Sequence, residues 1–145
     1  MIRLKGRVFA GEHNANRTVA KQLPYIAETF PEVQACHSGT INIELEGSLI
    51  VARADYRTPP IKWKQNLVEG EVFDLVRVRL EVPFGGPSHE AWLYVAHRSA
   101  HRANLSKHEV IASFIELAGA QDVGVVIERQ HVLLPYKHNA VHVLI

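Results

Sequence analysis

Val76-Arg77-Val78-Arg79-Leu80-Glu81-Val82 sets the fold class. Apolar and charged side chains alternate at every step, and a period of two gives a strand one buried and one solvated face. The pattern predicts a strand over residues 72–82. Phe84-Gly85-Gly86-Pro87 follows as a turn. Glu90 to Ala96 then returns as a second strand carrying Trp92 and Tyr94, so the two read as an antiparallel hairpin. Outward from this hairpin the chain offers further short strands. They are residues 2–10, where Ile2, Leu4, Val8 and Ala10 are apolar, 40–45 and 48–52 around the turn Glu46-Gly47, Gly124 to Glu128, and 141–145.

Helical spacing occurs twice. Over residues 24–30, Pro24 suits a first turn, Ile26 and Phe30 share a face, and Pro31 stops the helix. Over residues 106–118, Val110, Ile111, Phe114 and Leu117 or Ala118 form an apolar stripe, and Gly119 ends it. Gly11 to Arg17 is a polar loop, and residues 53–71, with Thr58-Pro59-Pro60, are irregular apart from Trp63 lying over a loop. Many short strands with two or three short helices make a mostly β, α+β protein, a small β-barrel or a mixed domain. Residues 1–145 read as one domain without repeat, low-complexity segment or linker.

Composition narrows the function classes. A chain of 145 residues buries about 68–70% of its unfolded surface and needs no metal or disulfide for stability. A net charge of +1 gives no electrostatic case for nucleic acid or a membrane surface. Cys36 stands alone and forms no internal disulfide, which favours a reducing compartment. Met1 to Arg7 lacks the apolar core of a signal peptide, and no apolar run approaches the roughly 20 residues of a membrane span. These features point to a cytoplasmic protein.

Gly39-Thr40-Ile41-Asn42 is the most chemical tetrapeptide in the chain. Thr40 and Asn42 are two apart at a strand start, so a hydroxyl and a carboxamide oxygen project from one face and suit a hard cation such as Mg²⁺. The same spacing also serves a plain turn-to-strand junction. Glu109 reads two ways as well. In Ser106-Lys107-His108-Glu109 it completes a Ser-x-x-Glu capping box, or it faces a ligand. His97 with His101 and His138 with His142 are each four apart, but neither pair sits in a predicted helix that would bring it together on a Zn²⁺ ion.

The order of these pieces resembles the archaeal CTP-dependent riboflavin kinases, over roughly Lys5 to Ile127. The pieces are Gly6-Arg7-Val8-Phe9-Ala10-Gly11, Leu23-Pro24-Tyr25, Gly39-Thr40-Ile41-Asn42, Val95-Ala96-His97-Arg98-Ser99-Ala100-His101 and Glu109-Val110-Ile111-Ala112. The resemblance implies a closed six-stranded cradle-loop β-barrel, a riboflavin acceptor, Mg²⁺, and CTP as phosphoryl donor. It implies that Thr40 and Asn42 hold the metal. Gly11, Glu12, His13, Asn14, Ala15, Asn16 and Arg17 would form the nucleotide loop. Ser99 and Glu109 would contact the flavin, with Glu109 orienting the attacking hydroxyl. The chain departs from the family pattern at three places, one being two extra residues between His101 and Glu109. The nucleotide loop keeps only its first glycine, and the family's Met-Lys-Leu-Arg run becomes Phe114-Ile115-Glu116-Leu117. These losses leave open a catalytically silent barrel that binds a flavin or nucleotide. An oligomeric interaction protein, joined through residues 53–71 or the apolar tail Val141 to Ile145, is the third reading.

Overall fold

The hairpin expected from the alternating stretch forms the longest pairing in the molecule. β5 (Phe73–Glu81) and β6 (Ser88–Ala96) run antiparallel from Phe73↔Ala96 to Glu81↔Ser88. The structure, a computed structural model, describes residues 1–9, 15–36, 39–98, 105–117, 119, 122–135 and 141–143. The other strands are β1 (Ile2–Phe9), β2 (Ile41–Leu45), β3 (Ile50–Val51), β4 (Tyr56–Arg57), β7 (Lys107–Ile111), β8 (Asp122–Ile127), β9 (Val132–Leu133) and β10 (Val141–Val143). One α-helix, α1 (Ala15–Thr29), and two 3-10 turns, Pro31–Val33 and Arg129–His131, complete the described elements.

Pairing runs β1–β2–β7–β6–β5–β8 and returns to β1, a ring of six antiparallel strands. β8 makes the return, with Arg7↔Asp122 to Ile2↔Ile127 on one edge and Arg79↔Val126 to Glu81↔Gly124 on the other. β10 lies along the start of β1, β4 along the start of β5, and β3 pairs with β9 in a separate two-stranded sheet. The strands expected on either side of Glu46-Gly47 are therefore both present, but they belong to different sheets. Among the described residues no helix is long and apolar enough to cross a membrane.

The alternation sorts the side chains into two faces. Leu4, Ile43, Val76, Leu80, Leu93, Val110 and Val125 are packed together on the core face. Phe73, Leu75, Tyr94, Ala96 and Ile111 lie on the outer face, under α1. At Gly6 the core face has no room for a side chain. A Cβ there would come 2.6 Å from Ile43 Cγ2 and 3.0 Å from the Glu44 carbonyl oxygen.

Two helix expectations need correction. The first helix covers 15–29, not 24–30, and Pro24 sits inside it. Val19, Leu23, Ile26, Ala27 and Phe30 form one stripe straight through the proline, all buried on the sheet. A mid-helix proline costs about 3 kcal/mol. Burying four or five such side chains, at about 1.5–3 kcal/mol for each of the larger ones, outweighs it. Ala15, Asn16 and Arg17 are thus the first turn of α1, not part of a loop.

The second correction is larger: residues 106–118 are not a helix. Lys107–Ile111 is a strand paired on both edges, and 112–117 is irregular. Val110 and Ile111 are both fully buried, one on the core face and one beneath α1. A strand covered on both faces loses its alternation, so its apolar run mimics a helix stripe. Phe114, which the stripe would bury, is 74% exposed. Gly119 does adopt a left-handed φ of 73°, as a helix stop would, but no helix precedes it. With only one α-helix among the described residues, the expected two or three reduce to α1 and short 3-10 turns.

Candidate functional site

Strand register gathers the expected site residues. Phe9 opposes Asn42, Asn42 opposes Glu109, and Glu109 opposes Tyr94, giving one rung across β1, β2, β7 and β6. The rung continues through Leu75 to Tyr56 on β4. Directly opposed Cβ atoms in antiparallel strands are about 4.5–5.5 Å apart, so the Asn42 and Glu109 side chains leave the sheet side by side. Both lie on the outer face, because their strand neighbours Ile43 and Val110 are in the core cluster. Glu109 therefore caps no helix. The capping-box reading falls, and this carboxylate stands half-buried beside Asn42.

Thr40 immediately precedes β2, two residues from Asn42. Its Oγ1 is buried and has no hydrogen-bond partner among the described residues. Trp92 Nε1, on the same face of β6 as Tyr94, is another such atom among the described residues. An unpaired buried hydroxyl costs about 1–3 kcal/mol, so a partner beyond the described residues is favoured at Thr40. Hydroxyl, carboxamide and carboxylate oxygens are the donor types that a hard cation such as Mg²⁺ takes.

Tyr94 forms the inner wall. Its phenol is buried and donates to Gln22 Oε1 on α1. Burial first, then the negative charges of Glu109 and Glu71, push its ionisation far above the ordinary tyrosine range. Tyr94 stays a neutral donor that ties α1 to the rung. Gln22 is seven residues into α1 from Ala15, and a helix rises 1.5 Å per residue. The first turn of α1, with its unsatisfied backbone N–H groups, begins about 10 Å along the axis from this contact.

Lys107 and Phe9 were missed by sequence reasoning. Lys107 opposes Glu44 on the rung next to Asn42–Glu109, and its Nζ lies 5.3 Å from the Phe9 ring centroid. A helix assignment hid this, since it placed Lys107 within a capping turn. Gly11, Glu12, His13, Asn14 and Ser99 lie outside the described residues, as do His101 and His138. Of the expected nucleotide loop, the structure describes only the backbone of residues 15–17, which is helical.

A second polar centre closes the start of β5. Asp74 is buried and accepts from Arg57 Nε at 2.6 Å and Arg57 Nη2 at 3.0 Å. His97 Nε2 lies 2.8 Å from Oδ2, the oxygen that also accepts from Arg57 Nη2, and a carboxylate only accepts, so the imidazole donates. Burial opposes ionisation of Asp74. The hydrogen bonds from Arg57 and His97 and their charges outweigh it, so its carboxyl stays below the ordinary range. Next to it, buried Glu71 accepts from Trp63 Nε1 at 2.8 Å and from the Arg98 backbone N–H at 2.7 Å. These two carboxylates pin the end of β6 to the 56–71 excursion.

A cavity of about 420 Å³ lies between one side of α1 and the turn that follows it, lined by Leu23, Pro24, Ala27, Val33 and Cys36 among others. Burial pushes the Cys36 thiol up to about 11, so it is protonated at neutral pH and supplies no nucleophile. Among the described residues no three His, Cys, Asp or Glu side chains cluster as a metal site. No protein-family model matches the chain, and no curated protein is similar to it.

Proposed function

We propose that this protein is a phosphotransferase resembling the CTP-dependent riboflavin kinases, and that its ring of six strands is their closed cradle-loop barrel. The observation that carries the reading is the Asn42–Glu109 rung with the Thr40 hydroxyl, unpaired among the described residues, beside it. Residues 67 apart in the chain become neighbours there (109 − 42), and both belong to motifs that carry the resemblance. In this reading Thr40 and Asn42 hold Mg²⁺. Bound there, the ion offsets the charge of the donor phosphates. Glu109 accepts a hydrogen bond from the acceptor's primary hydroxyl and orients it for in-line attack on the terminal phosphoryl group. Tyr94 and Gln22 hold the floor of the site in place. The backbone N–H groups at the start of α1 take the place of loop glycines as phosphate donors.

Incubation with riboflavin, CTP and Mg²⁺, with ATP as a parallel donor, tests this. FMN is expected from the wild type and not from Thr40→Ala or Asn42→Ala, both of which remain folded. Absence of FMN with either donor refutes the kinase reading.

The cavity beside α1 favours a second reading, retention of a small ligand such as a flavin without catalysis. Its volume of about 420 Å³ falls in the range of ligand pockets, roughly 300–1,000 Å³. Riboflavin fluorescence quenched on titration, with no turnover, is the outcome that selects it.

A further inference from the structure

We infer that Lys107, parked against Phe9, is the cation that receives the donor's polyphosphate. The inference rests on the phosphotransferase reading for the identity of the donor, but its geometry stands alone. Lys107 is on β7 and Phe9 on β1, with β2 between them. Two inter-strand spacings are about 10 Å, so a contact of 5.3 Å between Nζ and the ring requires both side chains to lean over β2. The ammonium therefore lies above β2, between the Glu44 and Asn42 positions and next to the proposed metal ligands. Lys107 takes part in none of the ion pairs among the described residues. Across β2, Glu44 is flanked by Arg7 as well as by Lys107, so two cations face that one carboxylate.

A cation over a half-exposed phenyl ring gains only about 0.5–1 kcal/mol. Phe9 thus orders the ammonium and releases it cheaply to a stronger partner. A phosphate oxygen is such a partner, since its charge-assisted hydrogen bonds are roughly twice as strong as neutral ones. The chain also has a need for this charge. Where the resembled family carries two basic residues, this sequence has Phe114-Ile115-Glu116-Leu117, none of them basic. Lys107 supplies a positive charge on the face of the sheet that carries Asn42 and Glu109.

The test is calorimetric binding of Mg²⁺–CTP and of Mg²⁺–tripolyphosphate to wild type, Lys107→Met and Lys107→Arg. Lys107→Met keeps the apolar stem, and thermal melts check that each variant folds. Loss of about tenfold in affinity for both ligands in Lys107→Met, with Lys107→Arg within about threefold of wild type and riboflavin affinity unchanged, is expected. Equal affinity of wild type and Lys107→Met overturns the inference, and FMN formation by the wild type would leave the kinase reading intact. Conversely, Lys107-dependent tripolyphosphate binding without FMN formation supports the inference and sinks the kinase reading. A wild type that binds neither ligand overturns the inference directly.

Discussion

Asp74→Asn isolates the polar centre at the start of β5. The side chain is 5% exposed and accepts three hydrogen bonds, two from Arg57 and one from His97. A hydrogen bond to a charged group contributes about 1.5–3 kcal/mol. The Arg57 side chain is 61% exposed, so its share is screened to about 0.5–1 kcal/mol. The better-buried His97 contributes about 1.5 kcal/mol. Asparagine keeps one acceptor but turns an N–H₂ group toward donors. The expected loss at pH 7 is about 2–3 kcal/mol, or a Tm lower by roughly 6–10 °C in a chain of this size. The sign of the pH dependence follows from the depressed carboxyl of Asp74. Its contribution is complete above the unfolded value of about 3.9 and is lost as pH falls through the lower folded value. Urea titrations followed by circular dichroism should show a constant gap between the two proteins from pH 7 to 5, closing toward pH 2. A gap under about 0.5 kcal/mol at pH 7, or one that persists undiminished at pH 2, refutes the argument.

Three further outcomes are expected. Thr40→Val removes a buried hydroxyl without a partner among the described residues, so urea stability should stay level or rise by up to about 1 kcal/mol while Mg²⁺-dependent transfer disappears. Gly6→Ala drives a Cβ against the Glu44 carbonyl, and backbone yields little, so a loss of about 1–3 kcal/mol is expected in the same assay. Phe114→Ser changes a side chain that is 74% exposed and should shift stability by less than about 0.5 kcal/mol. A loss of about 3 kcal/mol or more there would restore the helix over 106–118.

The β5–β6 hairpin was legible because one face of β5 is solvated at Arg77 and Arg79, which keeps the alternation clean. β7 was not, because α1 buries its outer face and the core buries the other. Its Ser-x-x-Glu start then looked like a cap. α1 was half legible: Pro24 read naturally as a beginning, and only the stripe from Val19 to Phe30 reveals a longer helix. At the site, the start of a strand at Ile41-Asn42 was legible from the Gly-Thr-x-Asn pattern. The neighbourhood of Glu109 was not, since it depends on β2–β7 register between distant segments. Lys107 over Phe9 needs a third strand in place and leaves no trace in local pattern.

The return made by β8 has a consequence during synthesis. A polypeptide still emerging from the ribosome has no partner for that edge of β1 until Asp122–Ile127 has been translated and released. Strand edges left open in this way are sticky. Translation that pauses short of that point should produce chains that lean on chaperones or clump together, whereas a pause beyond it should not.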